Sequence, residues 1–158
     1  MPEEGPILCC FNSHYKITPA MFEVWMRILQ RVPQSSLWLI AETPLSQDHL
    51  RIEAEARGIH PQRLIFAPKL PRPSHLQRQA LADLFLDTFP VNAHTTASDA
   101  LRMGVPLVTL AGETMISRVA GSLLHDLGLD ELIATDVAGY EERVVQLALQ
   151  PARLKELR

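Results

Sequence analysis

The sequence has few cysteines and no long apolar run, and these two scarcities exclude several classes of protein. Its 158 residues include two cysteines, Cys9 and Cys10. They are neighbours in a predicted strand, where adjacent side chains point to opposite faces and are poorly placed to bridge each other. We therefore expect reduced core thiols, and no metal-ligand spacing includes either residue.

Membrane and nucleic-acid partners are also disfavoured. No apolar run approaches the roughly 20 residues that a membrane-spanning helix needs, and Met1-Pro2-Glu3-Glu4 does not resemble the start of a secretory signal. The formal net charge of −3 gives no general attraction to nucleic acid, so any phosphate binding must be local. We expect a cytoplasmic protein with no membrane and no nucleic-acid partner.

Two nucleotide-binding motifs are missing as well. No Gly-x-Gly-x-x-Gly follows the first predicted strand, and no Gly-x-x-x-x-Gly-Lys-Ser/Thr occurs anywhere. These absences disfavour a dinucleotide-dependent dehydrogenase and a P-loop kinase.

What the sequence does contain is an alternation of short apolar runs with amphipathic segments. This alternation, with 47% hydrophobic and 21% charged residues, predicts one α/β domain over residues 1–158 with a Rossmann-like, three-layer parallel sheet. Helices are expected after the cap Thr18-Pro19, over residues 46–57, from His75 onward after a proline-rich loop over 67–75, from Val119, and over 140–149 on the surface. The predicted strands are 7–11, 36–41, 64–66, 84–87, 105–110 and 132–134.

One polar turn, residues 94–101, follows the fourth predicted strand and leads into a short helical pattern that stops at Gly104. If Thr95 or Thr96 caps this helix, free backbone N–H groups and two hydroxyls point outward together and form a site for phosphate oxygens. Asp99 then lies in the first turn, where its carboxylate can accept both hydroxyls of a ribose. The alternative is a capped helix with a dipole-matched carboxylate and no ligand.

In parallel sheets ligands bind beyond the carboxyl ends of the strands. The polar loops after the first, third and fourth predicted strands, residues 12–16, 69–78 and 91–99, are therefore expected to meet at one edge of the sheet.

A series of short motifs also runs in order along nearly the whole chain. They are Phe11-Asn12 with Tyr15-Lys16-Ile17, Leu37-Trp38-Leu39, Ile65-Phe66-Ala67-Pro68, His75, Leu81-Ala82-Asp83 with Leu86-Asp87-Thr88, His94-Thr95-Thr96 with Asp99, Gly104-Val105-Pro106-Leu107-Val108-Thr109, and Gly112-Glu113-Thr114 with Ser117-Arg118-Val119-Ala120. With these motifs the sequence resembles the carboxyl-terminal, donor-binding lobe of the protein O-linked N-acetylglucosamine transferase family, including its SPINDLY-like relatives. The resemblance implies the C-terminal half of a GT-B glycosyltransferase that binds UDP-N-acetylglucosamine.

The resemblance implies a role for each residue of a phosphate-binding group. Lys16 would meet the diphosphate, and Thr95 and Thr96 would hold phosphate oxygens at their helix start. His94 would lie near the diphosphate and the sugar. Ser13 stands where the family commonly has asparagine or glutamine, and its shorter side chain would reach the phosphate only through water.

A second group would bind the nucleoside. Asp99 would take the ribose hydroxyls, and Arg72 stands near the ribose where the family often has lysine. His75 would lie against the uracil, with Arg78 and the backbone of Leu70 at the edge of the base.

The resemblance also implies partners that this chain does not contain: an N-terminal catalytic lobe, and helical repeats that hold the protein acceptor. Many other glycosyltransferases hold a divalent metal with an Asp-x-Asp motif, and none occurs here, so metal-independent transfer without a cofactor is expected. We expect the chain alone to be inactive, and no residue is assigned as catalytic. Two alternatives stay open, the donor-binding lobe of another UDP-sugar enzyme such as an epimerase and a non-catalytic UDP-binding module.

Overall fold

Six parallel strands form one sheet in the order β3-β2-β1-β4-β5-β6 in a computed structural model that describes residues 5–41 and 43–158. Leu8 in the centre of the sheet pairs with Leu37 on one side and Leu84 on the other. The predicted Rossmann-like parallel sheet is confirmed. The strands are β1 (Ile7–Cys10), β2 (Ser36–Ile40), β3 (Leu64–Ala67), β4 (Leu84–Leu86), β5 (Leu107–Leu110) and β6 (Ile133–Ala134).

Seven helices surround the sheet within the described ranges. They are α1 (Pro19–Arg31), α2 (Pro44–Glu55), α3 (Arg72–Gln79), α4 (Thr95–Arg102), α5 (Val119–Asp126), α6 (Val137–Ala148) and α7 (Pro151–Glu156), with single 3₁₀ turns at His14–Lys16, Pro61–Arg63, Met115–Ser117 and Asp130–Leu132. From β1 the chain winds first towards β3 and then, after crossing back, towards β6. Because parallel crossovers are right-handed, this reversal places α1 and α2 on one face and α4 and α5 on the other. Three layers result.

The strands are apolar except for Ser36 in β2 and Thr109 in β5, because both faces of the sheet are covered. Cys9 and Cys10 are both fully buried and free, as expected. Burial raises the pKa of the Cys10 thiol to about 12 and that of Cys9 well above its ordinary value. Both thiols are therefore core side chains rather than nucleophiles.

The first helix follows the sequence prediction closely. The Thr18 hydroxyl accepts a hydrogen bond from the Met21 N–H at 3.2 Å, and Pro19 occupies the first helical position. Its buried face, which includes Trp25 and Ile28, packs on the sheet and on α6. Both cap and periodicity are local signals, which is why the sequence was sufficient here.

Other boundaries differ from the predictions. Helix α2 begins at Pro44 because Thr43 caps it, with the Ser46 N–H donating to the Thr43 hydroxyl at 3.1 Å. Helix α3 begins at Arg72, so the predicted loop over 67–75 is too long; Pro73 sits in the first turn, where a missing N–H costs nothing.

The C-terminal region shows a further difference. Helix α6 begins at Val137, after Asp136 caps it by accepting the Gly139 N–H at 2.6 Å. The predicted surface helix over 140–149 is only partly exposed, because Tyr140 is fully buried against the sheet. Helix α7, which starts at Pro151, was not predicted.

No helix within the described ranges is long and apolar enough to span a membrane. The segment Met1-Pro2-Glu3-Glu4, on which the prediction of no secretory signal rests, lies outside these ranges.

Tyr140 joins α6 to the central strands through hydrogen bonds. Its hydroxyl donates to the Asp87 carbonyl at 2.9 Å and accepts the Trp25 indole N–H at 3.3 Å. Replacing Tyr140 with phenylalanine leaves both of these buried groups without a partner, so Tyr140→Phe should lower the free energy of unfolding by about 1–3 kcal/mol. Chemical denaturation measures this change. The matched control is Tyr15→Phe, since Tyr15 is 76% exposed, and an equal effect of the two substitutions would contradict the prediction.

Candidate active site

A buried carboxylate, Asp87, organises the loop that follows β4. One of its oxygens, Oδ1, accepts the backbone N–H groups of Thr88 at 2.7 Å and Ala93 at 2.6 Å, and Oδ2 accepts the Thr109 hydroxyl at 2.6 Å. Burial raises the pKa of Asp87 from its ordinary value of 3.8 to about 7, while these hydrogen bonds and the charge of Lys16 lower it. The loop is thus folded around a group that needs donors on all sides.

Asn12, directly after β1, extends this buried set of hydrogen bonds. Its amide donates to the Thr88 hydroxyl at 2.7 Å, and the Thr88 hydroxyl donates to the Val91 carbonyl at 2.6 Å. The Thr96 hydroxyl donates in turn to Asn12 Oδ1. The Asn12 side chain therefore connects β1 to the loop after β4 and to the first turn of α4.

Helix α4 begins one residue earlier than expected. The prediction that Thr95 or Thr96 caps it is wrong: His94 is the N-cap, its side chain makes no capping hydrogen bond, and both threonines are inside the first turn. The physical reason is that Asp87 fixes the Ala93 N–H, so the chain must turn at His94. Asp99, predicted in the first turn, lies in the second. The N-terminal end of α4 nevertheless lies at the sheet edge that carries the polar loops. The His94 side chain accepts no hydrogen bond from the N–H groups of its first turn.

Lys16 reaches the same loop from the other side. It ends the 3₁₀ turn that follows β1, and its ammonium group donates to the Asn92 carbonyl at 2.8 Å. Asn92 is itself held by its amide, which donates to the Thr88 carbonyl at 3.0 Å. The cation is therefore fixed in the loop that leads to the start of α4, a position from which it can complement an anion at the helix end. Ser13 opens this 3₁₀ turn and is exposed.

A second part of the site is a group of rings in edge-to-face contact together with a guanidinium, which we call the base shelf: Phe11, Trp38, His75 and Arg78. The Arg78 guanidinium lies 5.2 Å from the centre of the Phe11 ring and 5.9 Å from that of Trp38, and it donates to the Pro68 carbonyl at 2.6 Å. The rings of Phe11 and His75 meet edge to face at 5.2 Å. Arg78 is thereby held against apolar rings and a carbonyl rather than free in solvent.

His75 is kept neutral on this shelf. Its Nδ1 lies 2.6 Å from Arg78 Nη2. Since arginine only donates, Nδ1 is the acceptor, and the ring proton is on Nε2. Burial and then the charge of Arg78 lower the pKa of His75, with Asp99 acting in the opposite direction. A neutral, half-buried imidazole is suited to lying against an uncharged base.

Asp99 and Arg72 form an ion pair that joins α4 to α3. The Arg72 guanidinium donates to Asp99 Oδ1 at 2.7 Å, and the Asp99 residue is 7% exposed. The carboxylate predicted to bind ribose is thus paired with the residue predicted to lie near the same ribose.

All the predicted site residues lie after the carboxyl ends of β1, β3 and β4, and contacts join several of them. Leu70, which precedes α3, and His94 and Thr95, at the start of α4, are exposed. Residues to which the sequence analysis gave no role are Asn12, Asp87, Thr88, Asn92 and Thr109, which are all buried polar side chains, and the rings of Phe11 and Trp38. The available signal was a polar residue directly after an apolar strand, as at Asn12 and Asp87-Thr88. Trp38 is buried in the core while also supporting Arg78.

The raised pKa of Asp87 makes the stability of the protein depend on pH. Between pH 4 and pH 7 the unfolded chain loses the Asp87 proton while the folded chain keeps it, so the contribution of this group to the free energy of unfolding falls as the pH rises, by at most about 1.4 kcal/mol per unit. Asp87→Asn removes this ionisation. The difference in unfolding free energy between the parent protein and Asp87→Asn should therefore decrease from pH 4 to pH 7 and then level off. A constant difference would mean that the hydrogen bonds keep the carboxylate ionised throughout.

Comparisons with known proteins bear on what this site binds. The sequence profile of glycosyl transferase family 41 matches residues 1–158. A probable UDP-N-acetylglucosamine–peptide N-acetylglucosaminyltransferase, SEC of Arabidopsis thaliana, is 41% identical over 158 residues, which cover 99% of this chain and 16% of that protein. The corresponding enzyme of Caenorhabditis elegans is 37% identical, over 100% of this chain and 14% of that protein. The probable enzyme SPINDLY of Solanum lycopersicum is 39% identical, over 99% of this chain and 19% of that protein. The chain spans less than a fifth of the length of these relatives.

Solved structures of two kinds of enzyme are also similar to this chain. A mutant O-GlcNAc transferase of Thermobaculum terrenum superposes with a TM-score of 0.91 at 35% identity, covering 97% of this chain and 31% of that chain. The UDP-GlcNAc 2-epimerase of Neisseria meningitidis, bound to UDP-GlcNAc, superposes with a TM-score of 0.65 at 10% identity, over 99% of this chain and 39% of that chain. The second likeness concerns the fold alone.

Proposed function

Because the chain belongs to glycosyl transferase family 41, we propose that it is the donor-binding lobe of an inverting protein O-GlcNAc transferase and that its ligand is UDP-N-acetylglucosamine. The expected fold, the C-terminal half of a GT-B glycosyltransferase, is confirmed. The observation that carries the proposal is the position, at the sheet edge beyond β1, β3 and β4, of a fixed cation, the N-terminal end of α4 and the base shelf. A nucleoside diphosphate has a matching group for each of these features.

The phosphate half stabilises the leaving group. Transfer breaks the bond between the anomeric carbon and a phosphate oxygen, so negative charge grows on the departing UDP. Lys16 and the first-turn N–H groups of α4 are in place before the reaction, and preorganised donors of this kind stabilise charge that develops in a transition state. His94 is exposed at the helix start, and we assign it to the side of the diphosphate and the sugar.

The nucleoside half holds the donor in position. His75 offers a neutral ring face to the uracil, while Arg78 and the backbone of Leu70 supply polar groups at its edge. Asp99 accepts the ribose hydroxyls while its Oδ1 stays paired with Arg72. Ser13 reaches the phosphate through water.

The remaining parts of the reaction belong to other regions of a longer protein. We assign the acceptor groove and the general base to an N-terminal lobe and the binding of the protein acceptor to helical repeats, so the 158-residue chain should bind the donor without transferring the sugar. We also propose that the protein is cytoplasmic and that transfer needs no metal. Lys16 and the helix end supply the charge that a divalent ion supplies in enzymes with an Asp-x-Asp motif.

Donor binding is tested by calorimetric titration of this chain with UDP, UDP-N-acetylglucosamine and GDP, in EDTA and again with Mn²⁺. We expect both uridine nucleotides to bind with an affinity that EDTA does not change, because the charged partners of the diphosphate are protein groups. GDP should bind more weakly, since the base shelf would have to accept a larger base. A strict requirement for Mn²⁺, or a preference for GDP, would contradict the proposal.

The role of Lys16 is tested separately. Lys16→Ala should weaken UDP binding by about 1.5–3 kcal/mol, as expected for the loss of a charge-assisted hydrogen bond, and should leave uridine binding nearly unchanged. Lys155→Ala, an exposed lysine on α7, is the matched control. Equal losses for UDP and uridine would show instead that Lys16 only supports its loop through the Asn92 carbonyl.

A further inference from the structure

The buried hydrogen bonds around Asn12 have a direction that the chemistry of the partners fixes. The Val91 carbonyl can only accept, so the Thr88 hydroxyl must be its donor at 2.6 Å. The oxygen of that hydroxyl then accepts from the Asn12 amide at 2.7 Å, and the Asn12 NH₂ group also faces Asp87 Oδ1 at 3.5 Å. Asn12 Oδ1 is left facing α4. The Thr96 hydroxyl must therefore donate its hydrogen to Asn12.

Burial keeps this direction from changing. Asn12 is 2% exposed, and Thr88 and Asp87 are fully buried, so water cannot replace a missing donor or acceptor. Turning the Asn12 amide over would place NH₂ against the Thr96 hydroxyl and a carbonyl oxygen against Thr88, whose hydrogen is already used. Such a reversal leaves buried groups unsatisfied, which is costly in a low-dielectric interior.

This direction limits what Thr96 can offer to a phosphate. A hydroxyl has one hydrogen, and in this structure that hydrogen points to Asn12. The hydroxyl therefore presents only lone pairs on its other side, and lone pairs repel phosphate oxygens. The donors that remain at this end of α4 are the backbone N–H groups of the first turn, with Lys16 beside them.

We propose that Asn12 is a positioning residue for the diphosphate: it holds the Thr96 hydroxyl and the loop after β4 so that the backbone N–H groups of Thr95 and Thr96, rather than the Thr96 hydroxyl, bind phosphate. The inference rests on the proposed UDP site and adds a residue that touches no ligand. Lys16 depends on the same loop, because its partner, the Asn92 carbonyl, belongs to it.

The test is a double-mutant cycle with Asn12→Ala and Thr96→Val, in which UDP and uridine affinities are measured by calorimetry. Both substitutions remove the same hydrogen bond, so each should weaken UDP binding by about tenfold. The double variant should show the same total loss of about tenfold, rather than a hundredfold loss. Uridine affinity should change less than twofold in all three. Ser35→Ala is the control, because it removes a buried hydroxyl that donates to the Val32 carbonyl at 2.7 Å beside the amino end of β2, far from the loops after β1 and β4.

Several results would overturn the inference. A hundredfold loss in the double variant would mean that the Thr96 hydroxyl binds phosphate independently of Asn12. Equal losses for UDP and uridine, or a loss of UDP affinity in Ser35→Ala of the same size, would reduce Asn12 to a structural role. If the parent chain does not bind UDP at all, the proposed function itself is wrong, and the diphosphate role fails with it.

The inference stays testable if Asn12→Ala does not fold. Thr96→Val alone then decides, because it leaves the buried Asn12 Oδ1 without a donor in the free chain. We expect a melting temperature several degrees below that of the parent chain together with the loss of UDP affinity. An unchanged melting temperature with weaker UDP binding would identify a direct contact between the hydroxyl and the phosphate, and would overturn the inference.

Discussion

The structure of the candidate site depends on supplying hydrogen-bond donors to one buried carboxylate. Asp87 directly follows the strand β4, and its two oxygens are satisfied by a hydroxyl from β5 and by backbone N–H groups of its own loop. Asn12 approaches the same carboxylate from the end of β1. Because Ala93 is one of the donors, the loop must close tightly, and α4 must start where it does. A polar requirement in the core thus determines the position of the helix end that faces the proposed phosphate.

The two halves of the site are built on different principles. The phosphate half is a set of buried hydrogen bonds with little freedom. The base shelf places His75 and Arg78 of α3 against the rings of Phe11, which follows β1, and Trp38 in β2, and its arginine is held by rings and by a carbonyl. Two polar interactions join α3 to α4: the ion pair of Arg72 with Asp99, and the Gln79 amide, which donates to the Thr96 carbonyl at 3.4 Å. Arg72 is largely exposed, and exposed ion pairs contribute little to stability. The interactions between the two halves therefore contribute less stability than the interactions within each half.

The sequence was sufficient wherever the cause of structure is local. Apolar runs predicted the strands, and the Thr18-Pro19 cap predicted the start of α1, because each signal lies within a few residues. The helix start at α4 was missed by one residue, since it depends on a hydrogen bond to Asp87 that only the folded loop forms. The start of α3 was missed because Pro73 is compatible with both a loop and a first helical turn. The grouping of Lys16, His75 and Asp99 at one edge was predicted because the loops that carry them follow the carboxyl ends of parallel strands. The pairing of Asp99 with Arg72 was not, because side-chain partners across two helices leave no pattern in the sequence.

The strand order has a consequence for when a nucleotide can bind. The candidate site lies beyond the ends of β1 and β4, which pair with each other and are more than seventy residues apart in the chain. The amino-terminal half of the chain carries Lys16 and the base shelf, and the other half carries α4, so neither half holds a complete set of contacts. A nucleotide that binds here therefore has no comparable affinity for an unfolded or half-folded chain. Its binding energy then adds to the stability of the native state by mass action. The concentration of the donor would therefore affect the fraction of the protein that is folded.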